Sequence, residues 1–125
     1  TAEEREGYEL FKTYGCVSCH QGQNIGGNMY QKFGIASDYF ADRGDVTDED
    51  YGRFNITKNE IDKYFFKVPS LRNVALTSPY FHDGNTETLE EAIRIMAKYQ
   101  IGREIPDEDV MKIKAFLMSL TGEEL

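Results

Sequence analysis

The sequence predicts an all-α domain, and three observations carry that reading. Apolar residues recur at helical spacing near both ends of the 125-residue chain. Between those ends, Gln21 to Thr57 lacks periodicity and is rich in Gly, Asp and Asn. The first helical stretch runs into Cys16-Val17-Ser18-Cys19-His20, which places two thiols and an imidazole on one tight turn.

Residues Ala2 to Thr13 form the first predicted helix, with Tyr8, Leu10, Phe11 and Tyr14 as its apolar stripe. Glu3, Glu4 and Glu6 suit the positive end of its dipole, and Gly15 ends it. Gln21 to Thr57 reads as a loop, too long for a compact domain unless it wraps on something. Its acidic run (Asp42, Asp45, Asp48, Glu49, Asp50) reads as a solvated face. A short helix is expected over Lys58 to Phe66, turning Ile61, Tyr64, Phe65 and Phe66 inward and stopped by Val68-Pro69. The clearest helix spans Thr86 to Tyr99. Thr88 and Glu91 form a capping-box pattern, Leu89, Ala92, Ile93, Met96 and Ala97 line one face, and Gly102 closes it. A last helix follows Pro106 with Asp107 as cap, buries Val110, Ile113, Phe116, Leu117 and Leu120, and stops at Gly122. Met111 and Met118, seven apart on that helix, have the spacing of a core stripe. The expected core joins Phe11, Phe65, Phe66, Ile93, Phe116 and Leu117 in a single domain over residues 1–125.

Cys-x-x-Cys-His is the attachment signature of c-type haem. Each thiol adds to one vinyl group of the porphyrin, and the adjacent imidazole sits under the iron. A zinc site needs four ligands, and beyond this turn only His82 offers another imidazole. A thioredoxin-like site needs a helix after the motif, where Gln21-Gly22-Gln23-Asn24-Ile25-Gly26-Gly27 is glycine-rich loop. A Cys16–Cys19 disulfide would close too small a loop to stabilise much. Helices at both ends with a haem turn after the first describe a cytochrome c-like domain whose long loops wrap one covalent haem. Both cysteines are used by that group, so no disulfide framework is left.

Formal net charge is −8, which argues against nucleic acid as partner and permits steering toward a basic redox protein. No apolar run is long enough for a transmembrane span. The chain begins at Thr1 without a charged-then-apolar leader and reads as a mature or trimmed product. Covalent haem attachment is an export-side process in bacteria, which implies a periplasmic setting.

The second axial position has few candidates: His82 and the methionines at 29, 96, 111 and 118. Met96 is favoured over Met29, because it lies far along the chain on an amphipathic helix, whereas Met29 follows the haem turn closely. A thioether raises the potential and closes the site to peroxide. With His82 instead, the site would be closed at lower potential; with neither, the iron would be open and catalysis credible.

Several blocks resemble the second haem domain of bacterial di-haem cytochrome c peroxidases. They are Cys16–His20 followed by Asn24-Ile25-Gly26-Gly27 and Phe33-Gly34; Phe66-Lys67-Val68-Pro69-Ser70-Leu71-Arg72-Asn73-Val74; Thr77-Ser78-Pro79-Tyr80-Phe81-His82-Asp83-Gly84; Leu89 to Met96; and Ile113 to Gly122. The resemblance implies a high-potential, electron-transferring haem with His/Met ligation, and puts Met96 on the methionine position. It implies that His82 is a hydrogen-bonding or conformational residue near the haem, and that Arg72 neutralises a propionate. It further implies that Thr77 and Pro79 belong to half of a calcium site shared between two domains. The family's peroxide-reducing haem has its own Cys-x-x-Cys-His in the first domain, and this chain carries one such motif. The implied role is therefore electron transfer by a single-haem carrier or by a fragment of a larger enzyme. The rival is peroxide reduction at an open or labile iron.

Overall fold

The computed structural model describes residues 1–20, 25–26 and 29–121. Most of the glycine-rich loop after the motif, and the expected stop at Gly122, lie outside that set.

Helix α1 (Ala2–Thr13) starts at a capping box, in which the Thr1 hydroxyl accepts from Glu4 N–H and the Glu4 carboxylate returns to the Thr1 amine. It packs against α5 (Asp107–Met118). The contact is close because Gly7 has no side chain: a Cβ there would sit 1.8 Å from the Lys112 carbonyl oxygen. Further along α1, Tyr8 and Phe11 pack on Phe116 with centroids 5.1 and 5.3 Å apart. The Tyr14 hydroxyl donates to Asp109 at 2.6 Å. Helix α4 (Leu89–Met96) completes this first core, which buries Phe11, Tyr80, Leu89, Ala92, Ile93, Val110, Ile113, Phe116 and Leu117.

A second, aromatic core of Phe33, Tyr39, Phe40 and Tyr99 lies under the middle of the chain. The described part of the stretch expected to be loop carries regular elements. It holds strand β1 (Tyr30–Lys32), helix α2 (Tyr39–Arg43), a 3₁₀ turn (Asp48–Tyr51) and helix α3 (Phe54–Thr57). β1 pairs antiparallel with β2 (Phe65–Lys67), in the register Tyr30↔Lys67, Gln31↔Phe66, Lys32↔Phe65. The domain is therefore mainly helical with a small sheet, not strictly all-α.

The helix expected over Lys58 to Phe66 does not form. Lys58 and Tyr64 adopt left-handed backbone (φ 58° and 69°), which breaks the helical run twice. The aromatic pair after Tyr64 goes into the strand, as aromatic residues favour. Ile61 points outward, 76% exposed, and Phe65 and Phe66 are only half-buried. α4 begins at Leu89 and not at Thr86, because Thr86 is buried in a bridge to Tyr80, whose N–H donates to its carbonyl at 2.6 Å. Pro106, not Asp107, takes the capping position of α5. Met111 and Met118 are 45% and 52% exposed, so their common stripe lies at the solvent edge of α5 and not in the core. Among the described residues, no helix is long and apolar enough to cross a membrane.

Candidate cofactor site

The motif turn is built on one carbonyl. Gly15 (φ 90°) ends α1, and a 3₁₀ turn (Cys16–Ser18) follows. The N–H groups of Cys19 and His20 both donate to the Cys16 carbonyl, at 3.3 and 3.0 Å. This turn gathers Cys16, Cys19 and His20, as their spacing predicts. Burial pushes the Cys16 thiol up to about 11, so a neutral sulfur is favoured there. Gln31 Nε2, from β1, lies 3.8 Å from Cys19 Sγ.

Burial also lowers the His20 pKa, and the backbone of Ile25 and Pro69 offsets this only in part. Its Nδ1 is buried without a hydrogen bond of good geometry. Gly26 makes this packing attainable. At φ 133°, a Cβ there would come within 2.0 Å of the Pro69 carbonyl oxygen and 3.2 Å of His20 Nδ1. Only glycine fits between imidazole and carbonyl.

Met96 is the last residue of α4. It is half-buried against the aromatic core, beside Tyr64, Phe66, Phe81 and Ile95. Phe81 also packs on the first core, whose partly buried edge includes Cys16, Val17, Ile25 and Leu71. The two edges thus carry the motif turn and Met96 respectively, with Phe81 common to both. Met29 is half-buried, and its carbonyl is engaged by the Val68 N–H at 2.8 Å. Arg72 lies exposed on the turn after Pro69, with its N–H on the Ser70 hydroxyl at 3.2 Å. Thr77 and Pro79 are exposed as well, and the Thr77 hydroxyl donates to the Val74 carbonyl.

The acidic run is not a solvated face throughout. Asp50 is 2% exposed. Arg43 reaches it with NH1 at 3.0 Å and NH2 at 2.5 Å, and reaches Asp83 with NH1 at 2.7 Å. Thr47 N–H donates to Asp50 at 2.9 Å, and His82 Nε2 lies 2.7 Å from its other oxygen. The Tyr39 hydroxyl donates to Asp83 at 2.8 Å. The Arg43 guanidinium first, then Thr47 and His82, hold the Asp50 carboxyl well below the usual range against its burial. The His82 ring stacks on Phe66 at 4.3 Å, which fixes it beside the aromatic core. Asp50, His82 and Asp83 converge as metal ligands could. The positive charge that these carboxylates need is supplied by Arg43 itself. The sequence hint was an arginine just ahead of a carboxylate run, which composition alone reads as surface.

The donor set fits a haem tethered at the motif turn: a neutral sulfur environment, a neutral imidazole wedged against backbone, and half-buried apolar residues at the edges of two cores that share Phe81. It is poorer for calcium, which takes oxygens; Thr77 and Pro79 bring at most a hydroxyl and carbonyls.

No family model matches the chain. It is 49% identical over 122 residues to the cytochrome c peroxidase Ccp of Escherichia coli, covering 98% of this chain and 26% of that protein. It is 48% identical over 122 residues to the cytochrome c551 peroxidase of Nitrosomonas europaea, covering 35% of it. The chain thus spans about a quarter to a third of the length of these curated relatives. Among solved structures, it is similar to a MauG-like protein associated with microbial copper homeostasis. The TM-score is 0.78 at 26% identity, over 98% of this chain and 48% of that one.

Proposed function

Since this chain is a homologue of one segment of the bacterial cytochrome c peroxidases, we propose that it is a periplasmic c-type cytochrome domain that passes electrons through a single covalent haem. Cys16 and Cys19 would hold the ring, and His20 and Met96 would supply the nitrogen and sulfur ligands to its iron. When bound, the haem supplies one-electron iron chemistry, and a thioether opposite an imidazole raises its potential.

The residues of the chain do the rest. Burial keeps His20 neutral, the protonation state that can ligate. Gly26 and the Pro69 carbonyl fix the imidazole plane from behind. The aromatic core packs against Met96 and covers part of its side chain. The His20–Gly26–Pro69 packing is the observation that carries this reading, because it serves no purpose in a disulfide or a surface histidine. Arg72 is assigned to a propionate, and a calcium held partly by Thr77 and Pro79 belongs to a two-domain assembly. The short coverage of its relatives favours a second reading, in which the same domain is the electron-supplying module of a longer di-haem peroxidase. In both readings peroxide reduction takes place elsewhere.

The test is the optical spectrum of the ferric holoprotein. A far-red Fe–S(Met) absorption is expected and should vanish in Met96→Ala, which should also gain affinity for imidazole. A spectrum unchanged by that substitution would move the ligand to Met29 or His82. Steady peroxide turnover by the isolated chain would defeat the carrier role.

A further inference from the structure

Met96 is followed at once by a π turn, Ala97–Ile101. Such a turn inserts a residue into the α ladder and is found disproportionately at functional sites. Here it aims two consecutive residues at the segment that follows β1. The Gln100 side chain bridges two backbone groups: Gly34 N–H donates to its Oε1, and its Nε2 donates to the Lys32 carbonyl at 2.9 Å. The Tyr99 carbonyl accepts from Ala36 N–H at 2.8 Å and from Ser37 N–H at 3.4 Å. The Tyr99 hydroxyl donates to Asp42 at 2.9 Å, and its ring meets Tyr39 edge-on at 5.2 Å. Lys32 is the last residue of β1, and Phe33 N–H continues the tie to the Tyr64 carbonyl at 2.8 Å. The end of α4 is thereby fastened to the sheet and to α2.

Resting on the proposed ligation by Met96, we infer that Gln100 is a positioning residue for the sixth ligand. Its amide holds the C-terminal end of α4 against β1, and so holds the thioether where the iron requires it. A thioether is a neutral, weak donor that binds ferric iron poorly without such preorganisation. Its retention therefore depends on how firmly its backbone is anchored. Gln suits the task because one primary amide presents a donor and an acceptor at once. Glutamate would keep the acceptor for Gly34 N–H and lose the donor to Lys32.

The experiment uses the holoprotein and its Gln100→Ala, Gln100→Glu and Met96→Ala variants. It follows the far-red ferric band on warming, imidazole affinity, midpoint potential and helix content. Gln100→Ala should bind imidazole about tenfold more tightly, as expected for the loss of a pair of hydrogen bonds. It should lose the band at lower temperature with haem and helix content retained, and Gln100→Glu should fall between it and the parent. If Gln100→Ala accumulates no holoprotein, Gln100→Glu decides alone. Unchanged imidazole affinity and band in the Gln100 variants, with the band abolished by Met96→Ala, would overturn this inference and leave the ligand assignment standing. A band that survives Met96→Ala would overturn both.

Discussion

Burial of the His20 imidazole favours its neutral form, and the missing Cβ at Gly26 lets the Pro69 carbonyl close in behind it. The motif itself was legible because covalent attachment demands a fixed local spacing. In the sequence Pro69 marks a helix stop and belongs to a block shared with the peroxidases, but nothing in a linear pattern says which carbonyl will face a ring. The Arg43–Asp50 pair was hidden for a similar reason: a run of acids looks solvated until a cation from the preceding helix turns into it. Asp50 titrates below its ordinary range in the folded chain, held there chiefly by Arg43. Its stabilisation is therefore complete above about pH 4, the unfolded carboxyl value, and is lost as pH falls below it. Asp50→Asn should cost about 3 kcal/mol at neutral pH, because it removes the charge of the buried member of the Arg43 pair and leaves Asp83 as the guanidinium's one carboxylate partner among the described residues. It should also flatten the acid limb of the stability curve. Denaturant titrations of both proteins between pH 3 and about pH 7 check this; equal acid limbs would contradict it.

Helices α1, α4 and α5 were read from periodicity and capping within a residue or a few of their observed bounds, because each buries one face and starts at a recognisable signal. The three-residue strands were not. Their pairing joins Tyr30 to Lys67, and strands this short carry too little alternation to outweigh a helical count over Lys58 to Phe66. The methionine stripe of α5 misled because seven-residue spacing fixes a common face and not which face is inward. The α1–α5 crossing is the element contact most sensitive to volume. Gly7→Ala would drive a methyl into the Lys112 carbonyl and Phe116, and should destabilise the fold by about 3 kcal/mol. Chemical denaturation of the holoprotein measures it; a loss below about 0.5 kcal/mol would mean that the helices are not this close.

The whole molecule combines a net charge of −8 with two cores that share Phe81 at their edges, one packed beside the motif turn and the other beside Met96. Reduction by a basic redox protein should slow about tenfold from low to physiological ionic strength, as screening removes the steering. Stopped-flow rates would show it, and salt-independent rates would exclude that class of partner. Electron transfer by this domain requires one porphyrin bound through Cys16 and Cys19. Intact mass under denaturing conditions, after expression with a haem-attachment system, tests this directly. The expected result is the polypeptide plus one haem that denaturation does not remove. A bare polypeptide with two titratable thiols would contradict it.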